Sequence, residues 1–389
     1  MVMPSVARLP VENGNPVRAM QELLRRLLAE DDIVGVFAPR QPPAKGAVMP
    51  SLITDPEALA SVDPASPSFP VNAAQQVARL TRGDLDGKLV AVLRPCELRA
   101  FTELVKLNQG SLQNLIIVGA DCHGAFDNDG FRAFMESNGG KPGIDNSADF
   151  LRRVAAGEFT AAANGGPALA RACRACEHPA PEHADLTIGL FGQDTSRDVL
   201  LIPGTAQGEA LVSRLGLATS GSGAGRDEAL TRIRAERTAY RDAMFEETRA
   251  ATATPAKLAE YLAACVGCYN CRAACPVCYC RECVFLTDVF AHEPWQYLGW
   301  ARQKGALRMP TDTLFFHLTR MAHMSLSCVG CGQCSNACPN DIGVMELFRT
   351  VAARTQSAFD YEAGRNPDEK PPLTVFHQKE FAEVTGGHD

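Results

Sequence analysis

Two cysteine runs in the last third of the chain constrain its fold more than any other feature. Cys265-Val-Gly-Cys268-Tyr-Asn-Cys271-Arg-Ala-Ala-Cys275-Pro276 is followed, after about fifty residues, by Cys328-Val-Gly-Cys331-Gly-Gln-Cys334-Ser-Asn-Ala-Cys338-Pro339. Both read C-x2-C-x2-C-x3-C-P, the ligand spacing of paired 4Fe-4S cubanes of the bacterial-ferredoxin kind. In that scheme three close thiolates wrap one cubane, and the fourth cysteine of each run serves the other cubane. A proline then closes the loop without needing a backbone donor. Cys265, Cys268, Cys271 and Cys338 are therefore expected to hold one cluster, and Cys328, Cys331, Cys334 and Cys275 the second. The alternatives are zinc ligands or disulfides. Zinc motifs present paired CxxC units, not four cysteines and a proline in this order twice.

The rest of the composition fits a globular electron-transfer protein. With 389 residues the chain has room for two domains. Its formal net charge of −7 disfavours nucleic acid as the main partner, since phosphate binding wants a basic face. The fifteen cysteines are clustered and odd in number, which favours metal ligation in a reducing compartment over a disulfide scaffold. The first residues show no apolar core of a secretory signal, and no apolar run reaches the ~18 residues of a membrane span. A cytoplasmic protein is expected.

Residues 16–29 have helical apolar spacing, with Pro16 suited to a first turn. The Gly14, Asn15, Pro16, Val17 turn before and into this helix is a candidate anion seat, an ordinary helix start being the alternative. Strand patterns at 33–37, 89–93 and 115–118 alternate with helical stretches at 72–81 and 97–107, which indicates an α/β sheet. Residues 40–70, rich in Pro, Ser and Ala, read as an irregular surface excursion, and residues 185–202 as a hairpin. Cys96 and Cys122 follow strand ends, where such sheets place ligand sites. A lone cysteine there is more often a small buried residue. Cys173 and Cys176 form a CxxC that alone suits a redox pair or half a zinc site. Residues 219–225 read as a hinge and 226–250 as a charged connecting helix. Trp295, Tyr297 and Trp300 read as core, His123 as a surface histidine, and residues 351–389 as a partly ordered arm. Cys278, Cys280 and Cys283 fall outside the two runs, with structural or additional-metal roles both open. No GxSxG, HExxH, P-loop or strand-linked GxGxxG is present.

Taken in order, PCELRA (95–100), the Asp121-Cys122 strand end, CRAC (173–176), ADLTIGLFG (184–192) and DVLLIPGTAQGEALV (198–212) resemble the coenzyme F420 hydrogenase/dehydrogenase β-subunit family. The resemblance covers roughly residues 10–218. It implies an α/β domain of that family's type at 1–218, binding FAD and carrying its own 4Fe-4S cluster. Its ligands, by position, would be Cys96, Cys122, Cys173 and Cys176. The family's Gly-rich turn near the flavin falls on Gly14, Asn15, Pro16 and Val17. With a hinge and linker helix at 219–254 and a two-cluster, ferredoxin-like helical module at 255–350, the resemblance implies a flavin/iron–sulfur β subunit of a formate dehydrogenase or hydrogenase complex. Such a subunit would pass electrons between clusters and a hydride carrier, a deazaflavin coenzyme by resemblance. Formate or hydrogen chemistry would then lie on a catalytic partner subunit, with heterodisulfide-reductase-like subunits as a further electron route. A different class of reading is a flavin-free adaptor that wires partners through clusters alone.

Overall fold

A computed structural model describes residues 6–41, 48–140, 143–159, 167–217, 219, 223–280, 282–287, 293–304 and 312–375. Seven strands form one mixed sheet: β1 (Ala7–Pro10), β2 (Ile33–Arg40), β3 (Met49–Ile53), β4 (Lys88–Leu93), β5 (Leu115–Ala120), β6 (Leu186–Gly189) and β7 (Asp198–Pro203). Their order is β1-β7-β6-β5-β4-β2-β3. The central β2, β4, β5 and β6 run parallel, and antiparallel strands close both edges. The expected strands and the hairpin are present. The 40–70 region is less irregular than its composition suggests. It contains edge strand β3, and Val62, Asp63 and Ser66 are buried.

The helices of the sheet domain are α1 (Pro16–Leu28), α2 (Ala74–Leu80), α3 (Pro95–Lys106), α4 (Asn128–Ser137), α5 (Ile144–Ala155), the single turn α6 (Arg171–Arg174) and α7 (Ala206–Arg214). Alternate residues of the central strands feed two cores. Val90, Val92, Ile116 and Val118 pack with α1 and a stack of Phe126, Phe134, Phe150 and Phe159. Leu89, Ala91, Leu93, Leu115 and Ile117 pack with α2 and α3 on the other face. Burial on both faces explains why these strands read as continuous apolar runs and not as alternating ones.

The C-terminal half comprises α8 (Ala224–Ala251), α9 (Pro255–Tyr261), the turn α10 (Asn270–Ala273), α11 (Pro294–Lys304), α12 (Asp312–Met324), the turn α13 (Gln333–Asn336) and α14 (Val344–Ala358). It does not hang from a hinge. Val277, Phe285, Phe316, Val329 and Phe348 belong to the same core as Phe101 and Leu104 of α3. Of the expected hinge, residues 218 and 220–222 lie outside the described residues, and Thr219 bridges Ala7 of β1. The connecting helix α8 is a clamp. Arg226 forms a two-pronged ion pair with buried Asp121 at the end of β5, at 2.6 and 2.8 Å. Three turns on, Arg237 holds the carbonyls of Cys122 and His123.

The expected arm is also packed as far as it is described. Tyr361 donates its hydroxyl to buried Glu103 of α3 at 2.7 Å, and Gly364 donates its N–H to the same carboxylate. Residues 376–389 lie outside the described residues.

Candidate metal centres

The twelve singled-out cysteines fall into three groups, none of which is contiguous in sequence. The first group is Cys265, Cys268, Cys271 and Cys338. Burial pushes the Cys271 thiol up to about 11, and the charges of Cys265, Cys268 and Cys338 all bear on it. The second group lines one small, almost wholly apolar cavity, bounded by Cys275, Cys328, Cys331 and Cys334. Burial raises the thiols of all four. Thus Cys275 leaves its own run for the second, and Cys338 leaves the second for the first. The third group is Cys96, Cys122, Cys173 and Cys176. Burial lifts Cys173 to about 12, with Cys122 and Cys176 adding to the effect, and Cys96 feels Cys122 and Cys176.

The local folding explains each placement. Pro95 opens α3, so Cys96 sits in its first turn, and Glu97 accepts the N–H of Arg94 at 2.8 Å. Cys122 follows the last residues of β5, pinned by its N–H to the Pro179 carbonyl at 2.8 Å. Cys173 lies in α6 and accepts the Ala125 N–H at 3.3 Å. In the ferredoxin-type runs, Gly267 and Gly330 occupy the left-handed region at φ 66° and 68°. Backbone N–H groups of Gly267 and Gly330 then point at Cys265 and Cys328.

This donor set fits iron–sulfur cubanes. The second group surrounds a small cavity of apolar lining. The buried thiols have N–H donors aimed at sulfur but ordinarily stay protonated in such surroundings. Iron would supply the charge that makes them thiolates. The second and third groups are neighbours, since Cys96 also feels Cys331. Gly332, at φ 82°, lies so close to α6 that an added Cβ would stand 2.4 Å from the Ala172 Cβ. Gln333 donates to the Phe69 carbonyl at 2.9 Å and Arg349 to the Ala175 carbonyl at 2.7 Å, fastening the same contact.

The Gly14–Val17 turn is braced by Asn15. Asn15 Oδ1 accepts the Val17 N–H at 3.1 Å, and Asn15 Nδ2 donates to Asp145 at 3.0 Å. With Pro16 lacking an N–H and a carboxylate alongside, the turn does not fit a dinucleotide diphosphate. His123 is not a free surface group. It packs edge-on against Phe191 at 4.6 Å, and burial and Arg237 lower its pKa to about 3. Trp295, expected in the core, is 70% exposed; the side chains of Tyr297 and Trp300 lie outside the described residues. Cys278 sits half-buried beside Cys275, and Cys280 is exposed.

Two side chains near the first group carry no sequence signature. His317 Nε2 lies 3.4 Å from Cys265 Sγ, and Arg320 Nη1 donates to Cys271 Sγ at 3.0 Å. Both come from α12, between the cysteine runs. Their only trace in the sequence is an i,i+3 spacing shared with countless surface helices.

The fold joins a mixed-sheet domain and a C-terminal module with ferredoxin-type cysteine runs in one shared core. Residues 86–219 match the family model for the C terminus of the coenzyme F420 hydrogenase/dehydrogenase beta subunit, and residues 325–342 match a 4Fe-4S binding domain. The F420-dependent formate dehydrogenase subunit beta of Methanocaldococcus jannaschii is 26% identical over 372 residues, covering 91% of this chain and 93% of that relative. Subunit beta of F420-dependent formate dehydrogenase 1 of Methanococcus maripaludis is 24% identical over 391 residues, covering 93% and 94%. A solved structure, the xenon-derivatized F420-reducing [NiFe] hydrogenase complex of Methanosarcina barkeri, matches with 13% identity and a TM-score of 0.44, over 64% of this chain and 93% of that one. The chain resembles the F420 hydrogenase/dehydrogenase β-subunit family, in sequence order as in the named segment. Among the described residues no helix is long and apolar enough to cross a membrane.

Proposed function

We propose that this chain is the electron-transfer β subunit of an F420-dependent formate dehydrogenase or hydrogenase type of oxidoreductase. The observation that carries the proposal is the gathering of twelve dispersed cysteines into three sets of four, with Cys275 and Cys338 exchanged between runs. Each set would hold one 4Fe-4S cluster. Such a cluster, when bound, passes single electrons.

The chain's own residues do the positioning. The close contact of Gly332 with Ala172 brings the second set against the third. Arg237 and Arg226 fix the Cys122 loop from α8. The apolar walls of the second set exclude water, so charge on one set is felt by the next. The third set, at the ends of the parallel strands, is the end at which a hydride carrier would be served. FAD as the intermediary, a deazaflavin as its partner, and a catalytic formate or hydrogen subunit at the other end rest on the resemblance. Heterodisulfide-reductase-like partners remain an alternative route.

Anaerobic reconstitution of the full chain tests this reading. About twelve iron and twelve acid-labile sulfide per chain are expected, with FAD measured on the same preparation. Zinc without sulfide would sink the cluster assignment. Full clusters without FAD uptake would favour the flavin-free adaptor.

A further inference from the structure

α12 brings a buried guanidinium to the first thiol set with no carboxylate to balance it. Arg320 is 3% exposed. Its Nη1 donates to Cys271 Sγ and its Nη2 to the Cys271 carbonyl, both at 3.0 Å. Its Nε is buried and unpaired. The plane is held over Phe348 at 4.7 Å and Phe316 at 5.5 Å. Among the described residues, no acid forms an ion pair with it. A buried cation needs a counter-charge, because desolvation costs several kcal/mol otherwise.

The same side chain lines the cavity of the second set. Its charge reaches Cys275, Cys328 and Cys334 there, as well as Cys271 in the first set. Arg320 therefore stands between the two ferredoxin-type sets, touching one and facing the other. A cubane with four thiolates is a net anion, and becomes more so when it takes an electron. Cluster potentials follow net charge, hydrogen bonds to sulfur and exposure. A fixed positive charge with an N–H on one ligand sulfur stabilises the reduced form of that cluster most.

Resting on the cluster reading above, we infer that Arg320 tunes the two ferredoxin-type clusters unequally, while Arg349 and Arg99 add charge on the Cys328 side of the second set. Arg320 raises the first set, where it bonds to sulfur, more than the second, where it acts through space. His317, buried against Cys265 one turn away, keeps water from the same side. Arg320 acts through the cluster ligands and is a positioning residue, not a catalytic one.

The test is an EPR-monitored redox titration of the full chain, loaded anaerobically, with iron and sulfide assayed on every sample. The signal lost in Cys338→Ser marks the first set. In Arg320→Gln the equilibrium constant for reducing the first set should fall by at least about tenfold, which is 59 mV for a one-electron couple. The second set should fall by less. Arg320→Lys keeps the charge and should hold the first set within about threefold of wild type, on the same scale. Unchanged midpoints in a loaded Gln variant would overturn the inference. Should that variant fail to load, the Lys variant decides: a full tenfold drop despite its charge would overturn it equally. A wild-type protein without acid-labile sulfide would instead overturn the cluster reading itself.

Discussion

The two cysteine runs have identical spacing and opposite surroundings. The first set is half covered: Cys268 is exposed, and its lid is α12, a helix inserted between the runs. The second set lines an almost wholly apolar cavity and is pressed on the sheet domain by Gly332 and Arg349. One position shows the difference most clearly. After the second cysteine, the first run has Tyr269 and the second has Gly332, and both adopt the left-handed conformation, at φ 60° and 82°. Glycine is needed at 332 because the Ala172 Cβ leaves no room for a side chain. Tyrosine is accommodated at 269 despite the cost because its ring packs on Phe316 at 4.7 Å and Phe285 at 6.1 Å. The same ligand geometry is thus bought with space in one run and with packing in the other.

Exchanging these two residues breaks the comparison most sharply. Gly332→Tyr should separate the second set from α6 and, of the roughly twelve irons expected under the proposed reading, cost about eight, leaving the first set loaded. An iron assay with EPR checks it; unchanged iron content would show that the contact is not needed for assembly.

A second experiment tests the exchange of ligands. Cys338→Ser should remove the first set's signal although Cys338 belongs to the second run, and Cys275→Ser the reverse. Each variant should lose one cluster, about four irons. If each substitution instead abolished the set of its own run, the grouping would be wrong.

Arg349→Met should sharpen the difference more gently. It removes the bonds to the Ala175 carbonyl and to Glu177, whose side chain is 23% exposed. The expected loss is about 2 kcal/mol, below the roughly 3–5 kcal/mol for a fully buried pair, because Glu177 keeps some solvent and Arg241. Chemical denaturation of the loaded protein measures it, with the first set's EPR signal unaffected.

The smallest effect belongs to Tyr269→Gly. Lost ring packing of about 1–2 kcal/mol is opposed by relief of about 1–2 kcal/mol of left-handed backbone strain. The melting temperature should move by only a few degrees, with both clusters retained. A large loss would mean that the ring does more than pack.

Much of the architecture was legible beforehand because its signals are local. Continuous apolar runs marked β2, β4 and β5, Pro16 marked the start of α1, and cysteine spacing marked the two runs. The errors have a common cause. Residues 40–70 and the segment after 351 are polar or proline-rich, so their composition resembles surface, whereas the charged 226–250 helix is present as α8. Partners far along the chain bury parts of those two segments, such as Gln21 for the Val62 carbonyl and Glu103 for Tyr361. At Gly14–Val17 the partner of Asn15 likewise arrives from far along the chain, as Asp145 of α5.

What the sequence determined by itself was ligand chemistry and count: thiolates at fixed intervals can wrap a cubane whatever surrounds them, since the constraint is the geometry of one short loop. The tertiary structure alone decided environment. Which set lines the apolar cavity, which lies against the Cys96 group, and which bonds Arg320 through sulfur depend on residues tens to hundreds of positions apart. Charge and desolvation act through space and not along the chain, so these differences leave no mark on the spacing.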